Sequence, residues 1–584
     1  MRSFFKIFFA MLLALIIFTI VGVVILLGII GRSVTPEKVV IAPNGVLVLE
    51  TSQLYPEQKV ANPFGGLKIG PDETPGLYDA VRLIRYAATD DNIKGIYLKT
   101  SGNPNGYATN EEIRNALIAF RKAKKFIYAY GEGMSQSGYY MASVADKIYL
   151  NPKGGVDFGG FAVQLMFLKG TLEKLDIEPQ IFYDGRFKSA TEPLRETQMT
   201  AANRIQTSAF LDELYGNFLQ KIGEIRQIDT AVLHGYANVG LIQEASDALQ
   251  YKLADGLKYD DEVIDEIRRK LGLKPDDDVN FVSLKKYEKS ANYNSGSADS
   301  KIALIYAQGS IVSGDSEGPD VISSGQYLKE IRKARLDKDV KAIVFRVNSG
   351  GGSALASEVI WRELLLAKKE KPVIVSMGDY AASGGYYISC MADSIFAQPN
   401  TLTGSIGVFA VMPNMQGFFK NKLGVTFDGV KTAQYADLGT ASRPLTEIEK
   451  KFVQNSVDSI YASFKSRVAT GRKLDPAIVD SIAQGRVWSG VQAKALGLVD
   501  RLGGVDDALA CAAKMANLST YSLNEYPEAQ DVVTRFMKQL GGDASAVMIK
   551  KELGENYKIY QQIKNVQQMN GEVQARLPFD FQLK

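Results

Sequence analysis

Residues 90–113 read DDNIKGIYLKTSGNPNGYATNEEI, and residues 337–360 read DKDVKAIVFRVNSGGGSALASEVI. Each stretch runs from a charged turn through a lysine and a short apolar run to a Ser/Gly/Asn-rich turn and a helix start. A second pair, SGYYMASVADKIYLNP (137–152) and GGYYISCMADSIFAQP (384–399), lies at the same spacing. Lys94 to Lys341 and Pro152 to Pro399 are both 247 positions apart. A constant offset over about 60 residues, with matching chemistry, marks an internal duplication. Fainter pairs extend it: FYDGRFKSA (182–190) with TFDGVKTAQ (426–434), and ASDALQYKLADGLKYDDEVID (245–265) with GVQAKALGLVDRLGGVDDALA (490–510).

Each copy alternates strands with helices. KAIVFRV and KPVIVSM are short apolar runs suited to buried parallel strands, and ASEVIWRELLLAKKE between them puts Ile360, Leu364 and Leu365 on one helix face. That order predicts an α/β layered fold. The repeats are expected over 45–265 and 301–515. The polar, Ser/Asn/Gly-rich stretch 266–300 reads as a connector, and 516–584 as a helical tail.

Upstream, residues 7–30 (IFFAMLLALIIFTIVGVVILLGII) carry no charge. As a helix, 24 residues would extend about 36 Å, more than a bilayer core of about 30 Å. The run exceeds a signal-peptide apolar region, and no good cleavage site follows, so an uncleaved anchor is expected, with residues 1–6 as a cytoplasmic N-terminus. Arg2 and Lys6 before the run and Arg32 and Lys38 after it leave only a weak orientation signal.

Composition narrows the chemistry. A net charge of +3 and no basic stripe with interleaved aromatics disfavour nucleic acid as a partner. Cys390 and Cys511 have no metal spacing, and two buried free thiols are preferred over a disulfide. A single histidine, His234, argues against a histidine-based metal site.

Where the copies differ, chemistry is sought. Phe158 of the first copy faces Ser405 of the second, and SGNPNGY (101–107) faces NSGGGSA (348–354). Both differences fall at the carboxyl ends of expected strands, where open α/β sheets carry their sites. A serine beside a glycine turn suggests a nucleophile with a backbone N–H pocket for an oxyanion. His234 sits in a helical, partly apolar stretch without a motif, which leaves a neutral lysine as the base. Its ordinary pKa near 10.4 must then be brought down toward 7 by desolvation. Lys188, in FYDGRFKSATEP, follows an apolar strand and a turn. Lys431 and Lys465 are competing candidates.

RVNSGGGSALASEVI, GDYAASGGYYIS, TLTGSIGV and GRFKSATEP together resemble the bacterial signal peptide peptidase A family, in its long, duplicated type. The resemblance runs from the anchor to about residue 515. It implies tandem crotonase/ClpP-like domains behind an N-terminal transmembrane helix. It implies a homotetrameric, dome-shaped particle at the bacterial inner membrane, with the catalytic domains on the periplasmic side. It implies a serine protease without cofactor or metal, degrading cleaved signal peptides and other small hydrophobic or unfolded peptides. By position, it makes Ser405 the nucleophile and Lys188 the general base. Gly351 or Gly352 would form the oxyanion hole, with the N–H of Ile406 as a second donor. Some members also have a hydroxyl on the lysine, which Thr432 would supply here. One departure is Gly350, where the family commonly has proline. Two other readings are an acyl-CoA enzyme of the crotonase type and a catalytically inactive membrane scaffold.

Overall fold

The computed structural model describes residues 40–59, 74–290, 298–528 except 317 and 319, and 572–577, together with most of 4–22. Strands of the first repeat are β1 (Gly45–Glu50), β2 (Ile93–Thr100), β3 (Phe126–Met134), β4 (Lys147–Val156), β5 (Glu178–Asp184), β6 (Gly256–Leu257) and β7 (Phe281–Ser283). The second repeat carries β8 (Lys301–Gln308), β9 (Ser310–Val312), β10 (Val321–Ser323), β11 (Val340–Ser349), β12 (Gly351–Ser353), β13 (Val373–Ala382), β14 (Ser394–Ala397), β15 (Leu402–Gly404), β16 (Val408–Asn414), β17 (Val487–Ser489), β18 (Arg501–Leu502) and β19 (Ser522–Tyr526). A last strand, β20, is Gln574–Arg576.

Two of the three sheets are the duplicated α/β layers. One runs β6-β4-β3-β2-β1-β7, all parallel. The other runs β17-β15-β13-β11-β8-β19, with β14 and β18 branching from β13. Parallel strands covered on both faces are apolar throughout, which is why KAIVFRV reads as one run. Ala342, Ile343, Val344, Phe345 and Val347 are all fully buried. The helix Ala354–Lys368 sets Ile360, Trp361 and Leu364 into that core, with Leu365 partly buried against it.

The third sheet, β10-β9-β12-β20-β16-β5, does not belong to one repeat. The first-repeat strand β5 leaves its own sheet and pairs antiparallel with β16, from Val408 opposite Asp184 to Asn414 opposite Glu178. This exchange carries the segment after β5 into the second repeat.

A buried ionic cluster joins the repeats as well. Arg346 on β11 has no exposed surface. Its Nε donates to Glu57 at 2.8 Å, and its Nη2 lies 2.7 Å from Glu112. Asp379 on β13 accepts from Ala108 N, Thr109 N and Thr109 Oγ1 at the start of the first-repeat helix Tyr107–Lys122. Removing one member leaves buried charge unpaired. Arg346→Ala is therefore expected to destabilise the chain by about 3–5 kcal/mol, read as a lowered urea midpoint.

Several expectations change in detail. The stretch 266–300 holds more than a connector: β7 extends the first sheet, and the helix Leu284–Ser290 buries Leu284 and Tyr287 in that repeat's core. The expected helical tail contributes two strands, β19 and β20, among its described residues. Cys390 and Cys511 are buried free thiols. The apolar run 7–30 lies partly outside the described residues. Among those described, no helix is long and apolar enough to cross a membrane.

Candidate active site

Lys188 lies four residues past the end of β5 and precedes the short 3-10 turn Ser189–Thr191. Its backbone is pinned: Phe187 N donates to Gln484 O, and Lys188 N to Gly185 O. Gly485 lies so close that a β-carbon there would sit 2.7 Å from Lys188 Cβ, and its φ of +73° also favours glycine. The lysine is 1 % exposed. Burial pushes its pKa well below the ordinary value, and no carboxylate pairs with it among the described residues.

Two serine hydroxyls meet this amine. Lys188 Nζ is 2.8 Å from Ser383 Oγ and 3.2 Å from Ser405 Oγ, with Ser405 O at 3.4 Å. Both serines are fully buried. The repeats thus contribute the base and the hydroxyls through the β5–β16 exchange, and one chain holds all three groups.

Their settings differ. Ser405 follows β15, and its N donates to Arg486 O, while its Oγ is 3.4 Å from Gly485 O. Ile406 is fully buried, and its carbonyl accepts from Gly485 N. Ser405 and Ile406 are therefore tied to the 484–486 segment. Ser383 stands between β13 and the helix Gly384–Ser389 at φ +54°, ψ −114°, a conformation that is strained for any residue but glycine. A serine forced into a sharp strand-to-helix turn is the geometry that thrusts a nucleophile forward.

The glycine turn lies on the Ser383 side. Gly351, at φ +97°, is packed so that a β-carbon would come within 2.7 Å of Gly384 N. Gly351 N itself donates to Ser349 Oγ at 3.1 Å. Gly350 is only half-buried, with the side chain of Leu577 against it where the resembled family has proline.

The other candidates are elsewhere. Thr432 is exposed on the loop after β16, so the expected lysine-positioning role is corrected: the hydroxyls on Lys188 belong to Ser383 and Ser405. Lys431 is ion-paired to Asp437 at 2.8 Å and Lys465 to Asp480 at 2.5 Å, so each amine is turned to a carboxylate instead of to a serine. His234 is exposed on the helix Thr230–Asn238 against the Tyr215 ring.

Ser383 escaped the sequence reading, although the duplication carries its signal. At the same offset of 247 it faces Gln136, a hydroxyl present in one copy and absent from the other, as with Ser405 and Phe158.

The Peptidase family S49 profile matches residues 119–274 and 366–519, one match in each repeat. The chain is 39 % identical over 483 residues to Protease 4 of Salmonella typhi, covering 81 % of this chain and 77 % of the relative. It is 36 % identical over 458 residues to Protease 4 of Haemophilus influenzae, covering 75 % and 73 %. With the chloroplastic serine protease SPPA of Arabidopsis thaliana the identity is 34 % over 438 residues, covering 74 % and 64 %.

Proposed function

This chain belongs to peptidase family S49 and is a serine protease, and from that premise we propose that Ser383 is its nucleophile, Lys188 its general base and Ser405 the hydroxyl that orients the lysine. The observation that carries this reading is the 2.8 Å contact from a buried, carboxylate-free amine to a strained serine beside a glycine turn. It reverses the sequence expectation for Ser405. The acyl-CoA and inactive-scaffold readings fall away with the family.

A neutral amine has two N–H bonds and one lone pair. Directing the N–H bonds at Ser405 Oγ and Ser405 O leaves the lone pair for the proton of Ser383. Ser383 Oγ attacks the peptide carbonyl carbon, and the oxyanion forms against the N–H groups of the Gly351–Gly352 turn and Gly384. Protonated Lys188 gives its proton to the leaving amine. Water then loses a proton to Lys188, attacks the ester and releases the acid with regeneration of Ser383. Labelling with a serine-directed phosphonate and mapping by mass spectrometry tests the assignment: the adduct belongs on Ser383, and an adduct on Ser405 overturns it.

Because the reactive lysine is neutral, kcat/KM is expected to fall on the acid side with the protonation of one group. Ser405→Ala removes an oxygen that accepts from the lysine and favours its charged form most. That variant should keep the acid limb but move it to lower pH, a displacement that simple loss of packing would not produce.

The proposed substrates are small or unfolded peptides, cleaved signal peptides among them, as the family resemblance in the sequence implies. Membrane attachment through residues 7–30, on the periplasmic side of the bacterial inner membrane, belongs to the same proposal. So does assembly into four copies. Leu423, Val425, Phe427 and Val430 expose apolar side chains on the loop after β16, as a surface covered by another copy would. Light scattering of the detergent-solubilised chain, corrected for detergent, is expected to give four times the chain mass.

A further inference from the structure

The amino ends of the first sheet gather charge that the mechanism does not use. Lys94 is the second residue of β2, Lys125 immediately precedes β3, and Lys147 opens β4. The helices Tyr107–Lys122 and Asp260–Lys270 end at the same edge with Arg121 and Lys270. Together with Lys124 these groups line an open cavity of about 610 Å³, in which Asp146 is the one carboxylate among the described lining residues. Such a local surplus stands out in a chain whose net charge is only +3.

The groups that could neutralise it are already engaged. Asp146 pairs with Arg121 at 2.6 Å and accepts from Ile127 N at 2.9 Å. Lys125 Nζ donates to the carbonyls of Ala87 and Asp90, both at 2.6 Å. Lys94, Lys124, Lys147 and Lys270 are exposed, and none has a carboxylate partner among the described residues. Phe126 and Tyr128 below them are each only 8 % exposed, so the cavity offers no open ring on which a nucleic-acid base could stack.

The second repeat lacks this surplus. Lys341, Lys368 and Lys371 stand at the positions of Lys94, Arg121 and Lys124, but Pro372 and Ser394 replace Lys125 and Lys147, and Glu370 replaces Ala123. Lys368 there pairs with Asp393, and Lys371 donates to Ala334 O. Cations at these helix ends are therefore shared architecture, favoured by the helix dipole. The excess belongs to the copy that follows the apolar run 7–30. Asn44, on the cavity wall, is 14 positions beyond residue 30, a connection of at most about 50 Å when extended.

We propose that this cavity docks the phosphate headgroups of anionic phospholipids in the leaflet from which the chain emerges. A headgroup phosphate brings the compact anion that four unpaired ammonium groups take, and a bilayer carries many of them side by side. A tether about 50 Å long holds the cavity at high effective concentration against that surface, an advantage no soluble acidic protein has. The proposal rests on the membrane attachment proposed above for the presence of the bilayer, and it is independent of the Ser383–Lys188 reading.

The full chain in nanodiscs of phosphatidylcholine, with or without phosphatidylglycerol, provides the test, with lysine acetylation followed by mass spectrometry. Lys94 and Lys147 are expected to react at least about fivefold more slowly in the phosphatidylglycerol discs. The exposed second-repeat lysines Lys338 and Lys369 should react equally in both. Lys124→Gln combined with Lys270→Gln should return Lys94 and Lys147 to their phosphatidylcholine rates with peptide cleavage unchanged, and high salt should do the same in the wild type. Equal rates in the two discs would overturn the proposal. So would an equal slowing by inorganic phosphate or polyglutamate in phosphatidylcholine discs, which would assign the cavity to a free anion or to an acidic protein. A chain that stays with neither disc sinks the membrane attachment instead. Vesicles of phosphatidylglycerol added to that free chain then decide the cavity: slowing of Lys94 and Lys147 supports it, and unchanged rates overturn it.

Discussion

Ser383→Ala is expected to lower kcat/KM on an extended peptide by about 10,000-fold or more, with the unfolding midpoint and oligomer mass unchanged. The hydroxyl lies 2.8 Å from an amine that burial holds well below its ordinary pKa. It follows a strand directly and precedes a helix at φ +54°, and its neighbour Gly384 shares the glycine turn with Gly351. An alanine removes one oxygen from that turn and leaves the backbone contacts in place. Ser383 N still donates to Gly404 O, and Tyr387 N to Ser383 O. Ser405→Ala is expected to be milder, about 10- to 100-fold, because it loosens the amine without removing the attacking atom. Steady-state kinetics on the two variants decide the roles. If Ser405→Ala is the inactive variant and Ser383→Ala keeps most of its rate, the assignments exchange.

The duplication made the two α/β layers legible, because each copy writes its strands as unbroken apolar runs and its helices with a 3.6-residue period. It also made the lysine legible, since Lys188 stands in an apolar, small-residue setting without a charge run. What sequence period does not encode is which sheet a strand joins. The segment Glu178–Asp184 reads as an ordinary strand of the first repeat, yet its partner is β16, more than 200 positions away. That exchange is what brings the base to the serines. Choosing between the serines needed backbone geometry. Ser383 and Ser405 both face residues without a hydroxyl in the other copy, and both take a positive φ, +54° and +47°; the strand-to-helix turn and the glycine contacts of Ser383 separate them. Thr432 matched Lys188 by alignment of the repeats. Aligned positions occupy equivalent places in two copies, so they are expected to lie apart unless the copies meet there. The tail strand gave no sequence signal because recognition along a strand edge is mostly backbone: VQARL (573–577) carries no motif.

Lys188→Met is expected to abolish most activity and to stabilise the chain. General-base loss costs about 100- to 10,000-fold in rate, and the variant should lack the acid limb that protonation of the amine gives the wild type. The stability argument turns on the direction of the pKa shift. In the unfolded chain this lysine titrates near its ordinary value of 10.5, and in the folded chain burial holds it well below. Between those two values the unfolded state binds the proton and the folded state does not, so wild-type stability falls as pH drops through that window. Below the folded value both states are protonated, and the loss stays at its full extent. Methionine fills similar volume without a charge to bury, and replacing buried charge by apolar volume is often neutral or stabilising. The melting temperature of Lys188→Met should thus exceed that of the wild type near pH 7, and the gap should close as pH rises toward the ordinary lysine range. A gap that is constant with pH would mean that the folded amine titrates like an exposed lysine. Lys188 would then be charged at neutral pH and unable to take the proton of Ser383.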